Sequence, residues 1–155
     1  MLGVSVFDPH GVRAGTVSSL SPKATSLQVA NPVVAAFACG GYAVAWTDFQ
    51  ADGDEQGVAL LSIDFTGKPT GTVKHANSVT ALSQHDPDIL ETSAGVVVAW
   101  VDESNPATSP DVRFAVFSDA LSGGGDQTLV ATPDAEANVA LRTNTTIQTV
   151  THDGT

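Results

Sequence analysis

The chain has 155 residues, of which 42% are hydrophobic, and its 17 acidic residues outnumber its 6 basic residues to give a formal net charge of −11. A surface this acidic repels the phosphate backbone of nucleic acids, and no apolar run approaches the ~20 residues that a membrane-spanning helix needs. The 14 glycines and 8 prolines favour short strands joined by many turns.

The predicted elements, in chain order, are a pair of strands within Gly3–Val17, two units of four strands, and a final pair within Asn138–Val150. In each full unit, strand A surrounds a proline, strand B ends in Ala-Trp, strand C follows a polar loop and strand D follows a glycine turn. No segment has an apolar stripe at helical spacing, so an all-β fold is predicted. The predicted strands A to D are Asn31–Ala36, Tyr42–Thr47, Val58–Asp64 and Gly71–His75 in the first unit, and Pro87–Glu91, Val96–Val101, Val112–Ser118 and Thr128–Ala131 in the second.

These elements follow an internal repeat of about 55 residues. GGYAVAWTD returns as AGVVVAWVD, which places Trp46 and Trp100 54 positions apart, and VFDPHGVRAGTV returns as SIDFTGKPTGTV, which places Asp8 and Asp64 56 apart. In a weaker third copy, Asp119 stands 55 positions after Asp64. Two independent motifs with one shared period favour a repeat architecture. The predicted divisions are a half unit 1–30, full units 31–84 and 85–135, and a half unit 136–155.

Strand B has two unequal apolar faces. Tyr42, Val44 and Trp46 are directed to one side, and the small Ala43 and Ala45 to the other. Because neither face is polar, both should be covered, and the tryptophan of the next sheet is expected to lie over the alanines of this one. Stacking of this kind is what repeated sheets around an axis require.

The pattern G-[YV]-x-V-x-W-x-D, followed by a polar loop and by G-V-x-x-x-x-x-D-x-x-G-x-x-x-G-T-V, resembles the propeller-type repeats of bacterial surface and repeats-in-toxin-like proteins. The resemblance implies four-stranded antiparallel β-propeller blades in an extracellular or cell-surface protein. Thr151, at the tryptophan position of the last unit, departs from the pattern.

Two half blades and two whole blades make three, whereas known propellers close with ~4–8 blades. The alternatives are a fragment of a longer propeller, a ring completed by association of copies, and an open sandwich. Fragment or assembly is favoured over a self-sufficient monomer, because three blades leave two sheet faces open.

The resemblance implies a non-catalytic binding or scaffold module that contacts protein neighbours or glycans. The alternatives are a small repeat lectin assembled from several copies, and a fragment of a propeller glycoside hydrolase or lyase whose catalytic carboxylates lie in other blades. The chain contains no G-x-S-x-G, Walker or dinucleotide motif, so no catalytic residue is assigned.

The loop TDFQADGDEQG places four carboxylates close together, and such oxygens are calcium ligands. The favoured interpretation is a solvated hairpin loop without a cofactor, and calcium binding is the alternative. The candidate metal ligands are Asp48, Asp52, Asp54 and Glu55.

The candidate ligand-binding residues are Trp46, Asp48, Trp100 and Asp102. The favoured interpretation places both tryptophans in the core between blades. The alternative, typical of propeller lectins, stacks each ring on a sugar with the aspartate two positions later as its polar partner.

Other single residues have structural interpretations. Asp8, Asp64 and Asp119 are expected to cap turns by accepting hydrogen bonds from backbone N–H groups. His85 is expected to be solvated. Cys39, the single cysteine, excludes a disulfide within the chain and is expected to be a small buried group beside a glycine turn.

Overall fold

The computed structural model describes residues 2–15, 18–20, 29–49, 52–107 and 110–125 with their side chains, and the backbone of 127–131, 136–142 and 146–152. All regular structure in this part of the chain is β, which confirms the all-β prediction. It contains no helix, and therefore none that could span a membrane. Its strands are β1 (Gly3–Val4), β2 (Ser18–Ser19), β3 (Val29–Ala36), β4 (Tyr42–Phe49), β5 (Gln56–Ile63), β6 (Lys74–His75), β7 (Gln84–Thr92), β8 (Gly95–Asp102), β9 (Asp111–Phe117), β10 (Gln127–Ala131), β11 (Glu136–Arg142) and β12 (Thr146–His152).

The strands form two four-stranded antiparallel meanders, β3-β4-β5-β6 and β7-β8-β9-β10, which are called sheet 1 and sheet 2 below. The two remaining sheets are the antiparallel pairs β1-β2 and β11-β12. Each meander has the predicted order of strands A to D. A closed ring is not formed within the described residues.

Strand D of sheet 1 is shorter than predicted, because Gly71–His75 contributes only the two residues of β6 to the ladder. The chain first touches β5 at an isolated bridge between Ile63 and Pro69 and rejoins it at Lys74. Between these points, the N–H of Thr70 still donates to the carbonyl of Ser62 in β5 at 3.0 Å, outside the regular ladder.

Strand A carries a bulge in both meanders, and each bulge stands before a proline. The register of β3 shifts next to Asn31, and that of β7 next to Asp86. These residues have φ values of 50° and 51°, a conformation that asparagine and aspartate tolerate better than most side chains. The proline that follows adds no N–H group to the ladder, which suits a bulge.

The sheets stack face to face in chain order. β7 packs across β3, β4 and β5, and β11 packs across β7, β8 and β9. Between the two meanders, Trp100 belongs to the same buried cluster as Ala43 and Ala45. On the opposite face of sheet 1, Trp46 belongs to a cluster that includes Val4 from the first strand pair. The expected stacking of a large face on a small face is therefore present between sheets 1 and 2.

Candidate functional site

Both tryptophans lie inside the stack. The exposed fraction of Trp46 and of Trp100 is 0%, so neither ring presents a face to solvent. The indole Nε1 of Trp46 donates a hydrogen bond to Oδ2 of Asp48 at 3.3 Å. Asp48 is itself buried between the sheets. Both side chains of this hydrogen-bonded pair are therefore buried.

The corresponding tryptophan and aspartate of sheet 2, Trp100 and Asp102, have different hydrogen-bond partners. Asp102 is fully buried, and its Oδ2 accepts hydrogen bonds from Nε of Arg113 at 2.8 Å and from Oγ of Ser104 at 2.7 Å. Among the residues described with their side chains, Trp100 Nε1 has no hydrogen-bond partner. The arginine supplies the positive charge that a buried carboxylate needs. A ligand role for the four candidate residues remains a prediction, and it requires the sheets to part.

The carboxylates of the acidic loop are engaged by the segment that links sheet 1 to sheet 2. Three of them accept hydrogen bonds from residues 77–83, and the fourth, Asp48, is the buried partner of Trp46. The three contacts are Asn77 Nδ2 to Asp52 Oδ2 at 2.8 Å, Leu82 N to Asp54 Oδ2 at 3.0 Å, and Ser83 Oγ to Glu55 Oε2 at 2.8 Å.

These three hydrogen bonds attach the acidic loop of sheet 1 to the segment that links the two meanders, and we call this set of contacts the latch. Among the residues described with their side chains, no three His, Cys, Asp or Glu groups come together in an arrangement that could hold a metal ion. Calcium binding remains the alternative interpretation, and it requires these carboxylates to exchange their present donors for the ion.

Asn77 is the centre of the latch, and the sequence offers no motif that singles it out. Its Oδ1 accepts a hydrogen bond from the N–H of Val58 at 2.9 Å. Its Nδ2 also donates to the carbonyl of Val79 at 2.9 Å and to Oε1 of Gln84 at 3.0 Å. Asn77 and Gln84 are both buried, so these bonds satisfy polar atoms that water does not reach.

The predicted turn caps are present in two of the three copies. Oδ1 of Asp8 accepts from the N–H groups of His10 and Val12, both at 2.8 Å. Oδ1 of Asp64 accepts from the N–H and hydroxyl groups of Thr66 at 2.8 and 2.6 Å and from the N–H of Lys68 at 3.0 Å. The Thr66 hydroxyl, and then the Lys68 N–H, lower the pKa of Asp64 below its ordinary value.

In the third copy the prediction is wrong by one position. Ser118 caps the turn, because its Oγ accepts from the N–H of Ser122 at 3.2 Å. Asp119 instead accepts a long hydrogen bond from Sγ of Cys39 at 3.7 Å. Cys39 is exposed and not buried as predicted, and it lies in the turn between β3 and β4.

The bulges bring polar side chains together at one end of strands β3 and β7. Nδ2 of Asn31 donates a hydrogen bond to Oδ1 of Asp86. His85, expected to be solvated, is only 24% exposed at its side chain, with Nδ1 3.0 Å from Asp86 Oδ2 and Nε2 3.5 Å from Glu103 Oε1. The recurrence of Asn-Pro and Asp-Pro 55 positions apart was the sequence signal for this junction.

An apolar groove of about 570 Å³ lies between the first strand segment and the outer face of sheet 1. We call it the β3 groove. Its floor includes Val44 of β4, one wall includes Val4 and Val6, and the other wall includes Val34 of β3. Val34 is 61% exposed, a large fraction for a strand residue in a stacked sheet.

Comparison with known protein families, curated proteins and solved structures finds no match for the chain.

Proposed function

We propose that the chain is a non-catalytic binding and scaffold module made of β-propeller blades in a secreted or surface-associated protein. It contacts protein neighbours through the exposed part of the outer face of sheet 1, along strand β3. The observation that carries this proposal is the exposure of Val34, a strand residue that forms one wall of the β3 groove.

The equivalent position in sheet 2 shows that this exposure is not a general property of strand A. Ile89 of β7 stands 55 positions after Val34, and it is only 6% exposed because sheet 1 covers it. The two side chains occupy equivalent places in the repeat, but only the second has a neighbouring sheet over it. An apolar groove that is left open where the equivalent position of the next sheet is covered supports an interaction site there.

The chemistry of the groove favours a protein surface over a glycan. Its lining is mostly apolar, whereas sugar hydroxyl groups need several hydrogen-bonding partners. The two tryptophan rings that would stack on a sugar are enclosed. Glycan binding is therefore the second candidate, and it would use the polar junction of Asn31, His85, Asp86 and Glu103.

The open groove is tested with the fluorescent apolar probe anilinonaphthalene sulfonate and two matched variants. Val34→Asp places a charge in the groove, and Val12→Asp places the same charge at a turn that does not line it. The two valines are 61% and 63% exposed, so the variants differ in the position of the new charge and hardly in the exposure of the replaced side chain. We expect Val34→Asp to weaken probe binding several-fold and Val12→Asp to leave it unchanged. Equal binding by both variants would contradict the proposal.

The glycan alternative is tested on a glycan array, with and without calcium. Binding of a defined sugar that is abolished by Asp86→Ala would replace the protein-contact proposal. Absence of binding across the array leaves the apolar groove as the contact surface.

A further inference from the structure

The first strand pair has the hydrogen-bond geometry of strands C and D. Gly3 pairs with Ser19 as Ala59 pairs with His75, an offset of 56 residues on both sides. The bond from Leu20 N to Leu2 O, at 2.9 Å, recurs at the same offset from Ala76 N to Val58 O, at 2.7 Å. The isolated bridge from Phe7 to Arg13 recurs in the same way from Ile63 to Pro69. Residues 2–7 are therefore the counterpart of residues 58–63 in strand C.

Strand C of sheet 1 is paired on both edges, whereas its counterpart is paired on one. β5 lies between β4 and β6, and residues Tyr42 to Phe49 pair along its whole length. β1 pairs only with β2 within the described residues. No described strand occupies the position of strand B beside residues 2–7, and the β3 groove lies along these residues.

The packing of sheet 2 on sheet 1 indicates which strands of a neighbouring sheet would cover the β3 groove. β7 packs mainly across β3 and β4, the A and B strands of the preceding sheet. That packing buries Ile89, the counterpart of Val34. By the same geometry, strands A and B of a preceding sheet are what would cover Val34.

The strand pair β11-β12 is an A and B pair with an open edge. It packs on sheet 2 through β11, as sheet 2 packs on sheet 1 through β7. In both meanders strand B has a strand C beside it, but β12 pairs only with β11 in the described part of the chain. This pair therefore needs a strand C, and the first pair needs a strand B.

We propose that the β3 groove is the docking site for strands β11 and β12 of a second copy of this chain. β12 of one copy pairs with residues 2–7 of the other, which gives a composite sheet in the order β11-β12-β1-β2. The proposal rests on the proposed function and names the partner of the same surface.

The charge distribution suits this pairing. The chain has 17 acidic residues, yet none lies within residues 2–7 or 146–152. Two strongly acidic chains can therefore bring these strands together without opposed carboxylates in the new ladder. Exposed strand edges of this kind pair readily with another chain.

The contact is head-to-tail, because different surfaces of the two copies meet. Such contacts produce rings if the rotation closes and open filaments if it does not. Two copies that close on each other would give six blades, within the range of ~4–8 found in propellers.

The first experiment measures mass against concentration by sedimentation equilibrium of the complete chain. Wild type is expected to associate, Val34→Asp to weaken association at least tenfold, and Val12→Asp to associate like wild type. A monomer at every concentration, or equal behaviour of the two variants, would overturn the proposal. If Val34→Asp weakens apolar probe binding but wild type stays monomeric, the second copy is wrong and the proposed function stands.

The second experiment tests the register of the composite sheet by disulfide formation. Thr151 aligns with Trp46, so Thr149 aligns with Val44. Val44 pairs with Leu61 in sheet 1, and Leu61 is the counterpart of Ser5. The proposed register therefore places Thr149 of one copy opposite Ser5 of the other. Residues directly opposite in an antiparallel pair lie close enough to form a disulfide after small adjustment.

Ser5→Cys chains are mixed with Thr149→Cys chains under mild oxidation, with the exposed Cys39 replaced by serine in both. A covalent dimer of one chain of each kind is expected. The control mixes Ser5→Cys with Asn105→Cys, which places the second thiol on an exposed loop. Equal yields in the two mixtures would overturn the assignment of β12 as the docking strand.

Discussion

Trp46 and Trp100 show how one sequence motif is completed by different neighbours. Each is followed two positions later by a buried aspartate. Only in sheet 1 does the indole donate to that aspartate. In sheet 2, Oδ2 of Asp102 accepts from Arg113 and Ser104, and neither Asp102 Oδ1 nor Trp100 Nε1 has a hydrogen-bond partner among the residues described with their side chains. The shared Trp-x-Asp motif is buried in both sheets. The residues around it determine which hydrogen bonds its side chains make.

Replacement of Trp100 by alanine tests this packing. Because the ring is fully enclosed between the sheets, we expect Trp100→Ala to reduce the free energy of unfolding by about 3–5 kcal/mol. The measurement is urea denaturation. Phe65→Ala is the control, since Phe65 is 70% exposed and its loss is expected to cost less than about 0.5 kcal/mol. A loss below about 1 kcal/mol for Trp100→Ala would place the ring at the surface.

The Asp64 turn cap gives a pH-dependent contribution to stability. Hydrogen bonds from the Thr66 hydroxyl and the Lys68 N–H lower the pKa of Asp64. The contribution is therefore present above the ordinary aspartate pKa of ~3.9 and is lost as the pH falls through the lower folded-state pKa. In denaturation experiments at a series of pH values, the difference between wild type and Asp64→Asn is expected to shrink in that acidic window.

Thr66→Val provides the matched control for this effect, because it removes the largest cause of the shift and keeps the carboxylate. Its Asp64 pKa, followed by carboxyl NMR titration, is expected to rise toward the ordinary value. A stability difference that stays constant down to the acid limit would contradict the capping role.

At the scale of elements, the turns between strands A and B depend on close backbone approach. Gly41, which precedes β4, has φ 89°, and a Cβ there would lie 2.5 Å from the carbonyl oxygen of Ile63. Gly95, at the start of β8, has φ 118°, and a Cβ there would overlap the carbonyl oxygen of Phe117. Both contacts are to backbone, which cannot move aside as a flexible side chain does.

Alanine substitutions separate this close approach from backbone strain. Gly40 also has a positive φ, 97°, but a Cβ there meets nothing within 4 Å. We expect Gly40→Ala to cost about 1–2 kcal/mol from backbone strain alone. Gly41→Ala and Gly95→Ala are expected to cost about 3 kcal/mol or more in urea denaturation. Equal losses at Gly40 and Gly41 would show that the strand approach is looser than described.

The acidic loop is the second element whose role follows from its contacts. Because its carboxylates already accept hydrogen bonds from the segment between the meanders, we expect it to act as a latch without a metal ion. The double variant Asp52→Ala, Asp54→Ala is expected to lose about 1–3 kcal/mol. This loss should be the same with calcium and with chelator.

Thermal unfolding of the wild type and the double variant, with and without chelator, checks this expectation. A calcium-dependent rise in melting temperature that is confined to the wild type would instead establish the calcium site.

At the scale of the whole molecule, the first strand pair covers Trp46 and Val44 on the outer face of sheet 1 but leaves Val34 of strand A exposed. Ile89 and Val34 occupy equivalent places in strand A, and they differ in exposure because only Ile89 has a complete sheet against it. The two meanders thus present the same strand A position once covered, at Ile89, and once exposed, at Val34.

The same substitution at these two positions tests that difference. Ile89→Asp buries an unpaired carboxylate and is expected to cost about 3 kcal/mol or more. Val34→Asp is expected to change the free energy of unfolding of the monomer by less than about 0.5 kcal/mol. Denaturation of both variants at low protein concentration makes the comparison. Similar losses at the two sites would mean that the outer face is covered within the monomer.

Much of the fold was predictable from local patterns. Alternation with period two located the strands and assigned Trp46 and Ala45 to opposite faces, because side chains of a strand alternate regardless of what surrounds it. Turn residues located the connections, and the turn aspartates Asp8 and Asp64 were recognisable because their hydrogen bonds span only a few residues.

The partners of polar side chains across sheets were not predictable in this way. Neither the Arg113 contact to Asp102 nor the Asn77 latch has a local pattern. The sequence by itself determined strand periodicity, the unequal faces and the turns, since these depend on neighbours along the chain. The tertiary structure decided which carboxylates are buried and paired and which sheet face stays open, because these depend on the stacking of sheets.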